Sequence, residues 1–164
     1  MNLRISHFTG VVAVLLLATS VFSQSALADS KTEASVREAI VEAYAYGRKN
    51  LRDKENTVAK AGALHFWSSG GLLQRVSPDA PLASYESNSL TPKHIEVLTI
   101  DPGKSAVAMY YAEGSFQDKG RPAVSSYLTR VTEVMVKEGG KWKVLAAHYS
   151  PVAGGSGTNQ NAVD

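Results

Sequence analysis

The chain has 164 residues, 17 basic and 15 acidic side chains, a formal net charge of +2 and no cysteine. So balanced a charge argues against nucleic acid or a membrane surface as partner, since both call for a concentrated basic patch. Without cysteine there is no disulfide framework, no thiolate nucleophile and no thiolate metal site.

Residues 1–28 read as a cleaved export signal. Arg4 gives the positive start, the run from Phe8 to Phe22 an apolar core, and Ala26-Leu27-Ala28 a small-x-small cleavage site. That apolar run is short for a membrane span, and Ser20, Ser23, Gln24 and Ser25 interrupt or follow it. The expected product is a single domain over 29–152 with a flexible tail over 153–164, exported to the periplasm or secreted, with no membrane attachment after cleavage. The tail, rich in Gly, Ser and Asn, has almost nothing to bury.

The first element of the domain is a predicted helix over 30–50. Ser30 and Glu33 fit a capping box, and Val36, Ile40, Ala43, Tyr44 and Gly47 fall on one face. Arg48 and Lys49 suit its negative end. A second, shorter helix is predicted from Thr57 to about His65, with Val58, Ala61 and Leu64 at helical spacing and Gly62 weakening it. Phe66-Trp67 then precedes a Ser-Ser-Gly-Gly turn, an aromatic pair suited to a pocket floor or to ordinary core. Leu72 to Val76 suits a short strand or turn. Residues 77–92 hold Pro78, Pro81 and Pro92 and read as a loop, with Leu82 and Tyr85 placed to fold back over a cavity.

Strand periodicity returns at 94–100. Asp101-Pro102-Gly103-Lys104 is a turn, and 105–116 form the return strand. One face of that strand carries Val107, Met109, Tyr111 and Glu113; the other carries Ala106, Ala108, Tyr110 and Ala112. Two apolar faces predict a central strand. Residues 121–151 form the best-defined unit, two β-patterned runs joined at Gly139-Gly140, a pair that tolerates the positive φ angles of a two-residue hairpin turn. In a regular hairpin Glu138 faces Lys141, Met135 faces Val144, Val131 faces His148 and Arg130 faces Tyr149.

Two helices followed by long antiparallel strands make an α+β plan. The segments Tyr127-Leu128-Thr129-Arg130-Val131-Thr132, Gly139-Gly140-Lys141-Trp142-Lys143-Val144 and His148-Tyr149-Ser150 resemble the closing strands of SnoaL-like proteins of the nuclear transport factor 2-like superfamily. The resemblance spans most of 33–151. It implies a curved antiparallel sheet wrapped around the N-terminal helices, cone-shaped with a central cavity, and a homodimer formed through the sheet. That superfamily includes isomerases, dehydratases, hydrolases and cyclases as well as proteins without a known reaction, so fold alone does not fix the chemistry. Its enzymes mostly place an aspartate, or an aspartate–histidine pair, inside the cone. Asp53, Asp79, Asp101 and Asp118 sit in polar runs or turns and offer no evident counterpart. Arg130 matches the arginine of the T-R-V stretch in related association domains, and Tyr149 replaces an arginine found in them.

His148 is the candidate acid–base residue, because histidine exchanges protons near neutral pH. The competing role is a partly buried ring bonded to a neighbouring strand. Trp67, Phe66, Tyr111, Arg130 and Tyr149 are the candidate ligand-binding residues. Glu133 shares the pleat face of His148, two residues off its cross-strand position. His65, His94 and His148 lack close ligand spacing, so no metal site is expected, and no cofactor motif appears. The leading reading is a cone that binds a small, mostly apolar molecule. The alternatives are a lyase, isomerase or hydrolase using His148, and an oligomerising module without ligand.

Overall fold

The computed structural model describes residues 9–152, with side chains from 29 onward; the tail expected over 153–164 and the first eight residues of the expected export signal lie outside the described residues. The order is a helix, α1 (Thr9–Asn50), and seven strands: β1 (Ala63–Phe66), β2 (Gln74–Val76), β3 (Tyr85–Asn88), β4 (Thr91–Asp101), β5 (Ser105–Asp118), β6 (Val124–Glu138) and β7 (Lys141–Pro151). They form one curved sheet in the order β2-β1-β7-β6-β5-β3, with β4 also pairing β5. The architecture is the expected α+β cone, a sheet closing over an N-terminal helix.

The helix uses the predicted stripe. Val36 and Ile40 are buried against Ile95, Val97, Ala106, Ala108 and Val131, with Tyr44 packed at the margin. Burying each aliphatic side chain contributes about 1.5–3 kcal/mol. Polar contacts seat the same helix: the Trp142 indole donates to Ser35 Oγ at 2.9 Å, Gly103 N–H donates to Thr32 Oγ1 at 2.8 Å, and Arg37 donates to the Ile95 carbonyl. The expected capping box is absent, because α1 runs unbroken through Ser30 and has no N-terminus there.

The second predicted helix does not form. Residues 57–66 instead run beside β7: Val144 N–H donates to the Thr57 carbonyl, Ala59 N–H donates to that of Val144, and β1 pairs with β7 in parallel. Gly62 breaks any helix at this point. Its φ of +83° is left-handed, and a Cβ there would lie 2.9 Å from the Val76 carbonyl oxygen. The sheet is therefore mixed rather than wholly antiparallel.

The central strand is β5, bordered by β6 on one side and by β4 and β3 in succession on the other. Its predicted faces are observed: Ala106, Ala108, Tyr110 and Ala112 are buried, while Met109 and Tyr111 are exposed. The β6–β7 turn is also as expected, with φ of +57° at Gly139 and +77° at Gly140. Glu138 faces Lys141 and Met135 faces Val144.

Beyond Met135 the register departs from the regular hairpin. Val134 pairs with Ala146 rather than Leu145, so β7 carries one extra residue. A bulge of this kind reverses the alternation of the bulged strand relative to its partner. The observed pairs become Thr132 with His148, Val131 with Tyr149 and Arg130 with Ser150. Trp142 and Val144 point inward before the bulge; Ala147 and Tyr149 do so after it.

Candidate functional site

The concave side of the sheet and α1 enclose a cavity of about 620 Å³. Its inner wall carries Tyr44 from α1, Tyr110 from β5, Glu133 from β6, Tyr149 from β7 and His65 from β1. Trp67 and Tyr127 line it nearer the loops. Residues 76–78 and 80–83 line it as well, and Tyr85 contributes from β3, so the proline-bearing loop does fold over the recess.

Glu133 is the chemical centre of this wall. It is 6% exposed, and burial pushes its carboxyl up from 4.5 to about 7. Hydrogen bonds from Tyr110 and Tyr149 oppose that rise without overcoming it. The Tyr149 hydroxyl donates to Glu133 Oε1 at 3.2 Å, and Tyr44 and Tyr110 share a hydrogen bond. Burial and the neighbouring Glu133 push all three phenols above their ordinary range. The result is a carboxyl that changes protonation near neutral pH inside a tyrosine ring.

His65 sits on the other flank of Tyr149. It is 6% exposed, and neither Nδ1 nor Nε2 has a hydrogen-bond partner among the described residues. Desolvation lowers its pKa and so favours the neutral imidazole. The ring meets Trp67 edge-on at 4.8 Å and Tyr149 at 6.0 Å, while Trp67 stacks on Tyr149 at 5.4 Å. Register fixes the relation of the two polar groups: His65 lies opposite Ala147 on one side, and Glu133 lies opposite Ala147 on the other. They are two strand spacings apart, about 10 Å at the backbone, with Ala147 between them in register and the Tyr149 side chain reaching both.

A second carboxyl stands toward the loops. Asp53 accepts a hydrogen bond from the Tyr85 hydroxyl at 2.5 Å, and burial pushes its pKa up, opposed by that bond. Lys54 also lines the cavity but is paired with Glu42 at 2.6 Å.

Of the residues singled out from the sequence, Trp67 and Tyr149 line the cavity. His148 is exposed on the outer face, its ring 5.6 Å from Phe66, which is also outside. Tyr111 is outside too, edge-on to His94, and the exposed Arg130 donates to the Pro151 carbonyl at 3.3 Å. The bulge explains the exchange: without it His148, not Tyr149, would follow Val144 inward. Sequence reasoning weighed Glu133 only as a neighbour of His148 on one pleat face, whereas the bulge puts the two on opposite faces, and weighed His65 only as a metal ligand. The signal for Glu133 was an acidic residue at an inward position between Val131 and Met135.

No protein-family model matches the chain, and no curated protein does. Solved structures do. A structure from Exiguobacterium sibiricum, named for a Ca/calmodulin-dependent kinase II association domain, superposes with a TM-score of 0.51 at 13% identity, over 74% of this chain and 94% of that one. NTF2-like proteins from Cytophaga hutchinsonii and Rhodospirillum rubrum each give a TM-score of 0.47, at 13% and 17% identity. Each match covers 73% of this chain, and 91% and 94% of theirs. At such identity the likeness is one of fold.

Proposed function

We propose that this chain, which has the α+β cone fold of nuclear transport factor 2-like proteins, binds a small, mostly apolar molecule inside the cone. The observation that carries this reading is the 620 Å³ recess, of the size that holds small ligands, walled by aromatic rings around a buried carboxyl and an unpartnered imidazole. An apolar body would pack on Trp67 and Tyr44, and its polar end would meet Glu133 and His65. Tyr149, held between those two groups, orients both. A lyase, isomerase or hydrolase with His148 as acid–base draws no support from the exposed position of that ring.

The test is a thermal-shift screen of the protein with neutral apolar compounds. A ligand at a hundred times its Kd stabilises by about 2.7 kcal/mol. Trp67→Ala should weaken any hit, because its ring lines the recess. A screen without a single shift, together with an experimental structure whose cone is filled by its own side chains, would end this reading.

Two further proposals accompany it. The outer face of the sheet exposes Leu98, Ile100, Met109, Tyr111 and Leu128, an apolar band suited to a second copy of the chain. Light scattering of Met109→Glu against the parent protein tests the homodimer. Residues 1–28 are proposed as a cleaved export signal; a mature N-terminus at Asp29, read by mass spectrometry, is the expected result.

A further inference from the structure

The proposed function leaves the polar end of the ligand unnamed, and the charges around the recess bear on it. Glu133 feels burial and two tyrosine hydroxyls, and among the described residues no cation acts on it. The titratable groups facing it are Tyr44 from α1, Tyr110 from β5 and Tyr149 from β7. Asp53 and Asp118 add acidic groups to the lining. Of the basic residues there, Lys54 is engaged with Glu42, and Arg121 is exposed at the rim. The interior is thus short of positive charge.

The hydrogen-bonding inventory agrees. An ionised carboxylate offers about four lone-pair sites, and only Tyr110 and Tyr149 draw on those of Glu133. His65, held neutral by burial, has a free ring nitrogen to accept a hydrogen bond and no charge to repel a cation. The two acceptors flank Ala147 in one row across the sheet. Around them stand Trp67, Tyr44, Tyr110 and Tyr149, whose ring faces attract cations.

Resting on the reading of the cone as a ligand site, we infer that its ligand is a small amphiphilic amine. Its protonated nitrogen sits between His65 and Glu133, and its apolar body lies against Trp67. An ammonium donates to both acceptors at once and supplies the charge that the buried carboxylate lacks. A carboxylate ligand would meet Glu133 and Asp53 with like charge, and an alcohol leaves the ionised Glu133 unneutralised.

The experiment is calorimetric titration of the full chain at pH 7 with three matched probes: 1-naphthylmethylamine, 1-naphthylmethanol and 1-naphthoate. The amine should bind roughly tenfold to a hundredfold more tightly than the alcohol, the scale of a hydrogen bond to a charged group. In Glu133→Gln the amine should lose that advantage and bind no more tightly than the alcohol. In the parent protein, titration in two buffers of different ionisation enthalpy should show about half a proton released with the amine and none with the alcohol. This arm does not depend on the variant folding. An alcohol or naphthoate that binds as well as the amine, or an amine that binds without proton release, overturns the amine assignment and leaves the ligand site standing. If none of the three binds, the amine assignment falls, and the ligand site is judged by the broader thermal-shift screen.

Discussion

Replacing Glu133 by glutamine should change how the stability of this protein depends on pH. The group is buried, and its folded pKa is raised from 4.5 to about 7 by desolvation. For an acid so shifted, the folded state keeps a proton that the unfolded chain has released. Its contribution is therefore fully favourable below about pH 4.5 and declines as pH rises, levelling off once pH passes about 7. Each tenfold change in proton affinity is worth about 1.4 kcal/mol, so the loss across this window is about 3 kcal/mol. Glutamine keeps the shape and can accept from Tyr110 or Tyr149, but it has no charge to desolvate. Urea unfolding of parent and Glu133→Gln at several values from pH 5 to 8.5 measures the difference directly, and pH effects common to both, including that of Asp53, cancel. The variant should be close to the parent at pH 5 and more stable by about 3 kcal/mol at pH 8.5. A difference that stays constant with pH, or that grows in favour of the parent, would refute a buried, uncompensated carboxyl at this position.

Other substitutions probe other parts of the fold. His65→Phe should leave the ligand-free protein as stable or up to about 1 kcal/mol more stable, since the imidazole has no bond to lose; a drop of several kcal/mol in denaturant unfolding would show that the ring is satisfied after all. Ile40→Ala, at a site 3% exposed, should cost about 2–5 kcal/mol by the same assay. Gly140→Val places a β-branched residue at a φ of +77° and should cost at least about 1 kcal/mol, read as a lowered Tm. Deleting Leu145 removes the extra residue of the bulge. It should leave Ala147 and Tyr149 inward and His148 outward in their present pairs with β6, and so retain binding of any ligand found for the cone, as measured by calorimetry.

Local chemistry settled a good deal of this protein from its sequence. The Gly139-Gly140 turn, the inward stripe of α1 from Val36 to Gly47 and the two faces of β5 were all legible, because each depends on a repeat of two or 3.6 residues, or on one residue's freedom at positive φ. Together with the strand count they gave an α+β plan, and the cone was what the resemblance of 127–150 to SnoaL-like strands implied. What only the tertiary structure decided begins where that periodicity is overruled. Residues 57–65 carry a helical spacing, yet Gly62 turns left-handed and β7 offers an unpaired edge, so the segment joins the sheet and brings His65 inside. The extra residue near Leu145 reverses the parity of β7, and nothing in Val144-Leu145-Ala146-Ala147 marks which residue is surplus; closure around α1 selects it. The proton affinity of Glu133 is likewise collective. It follows from Tyr44, Tyr110 and Tyr149 arriving from three separate elements to exclude water, a quantity that no window of neighbouring residues contains.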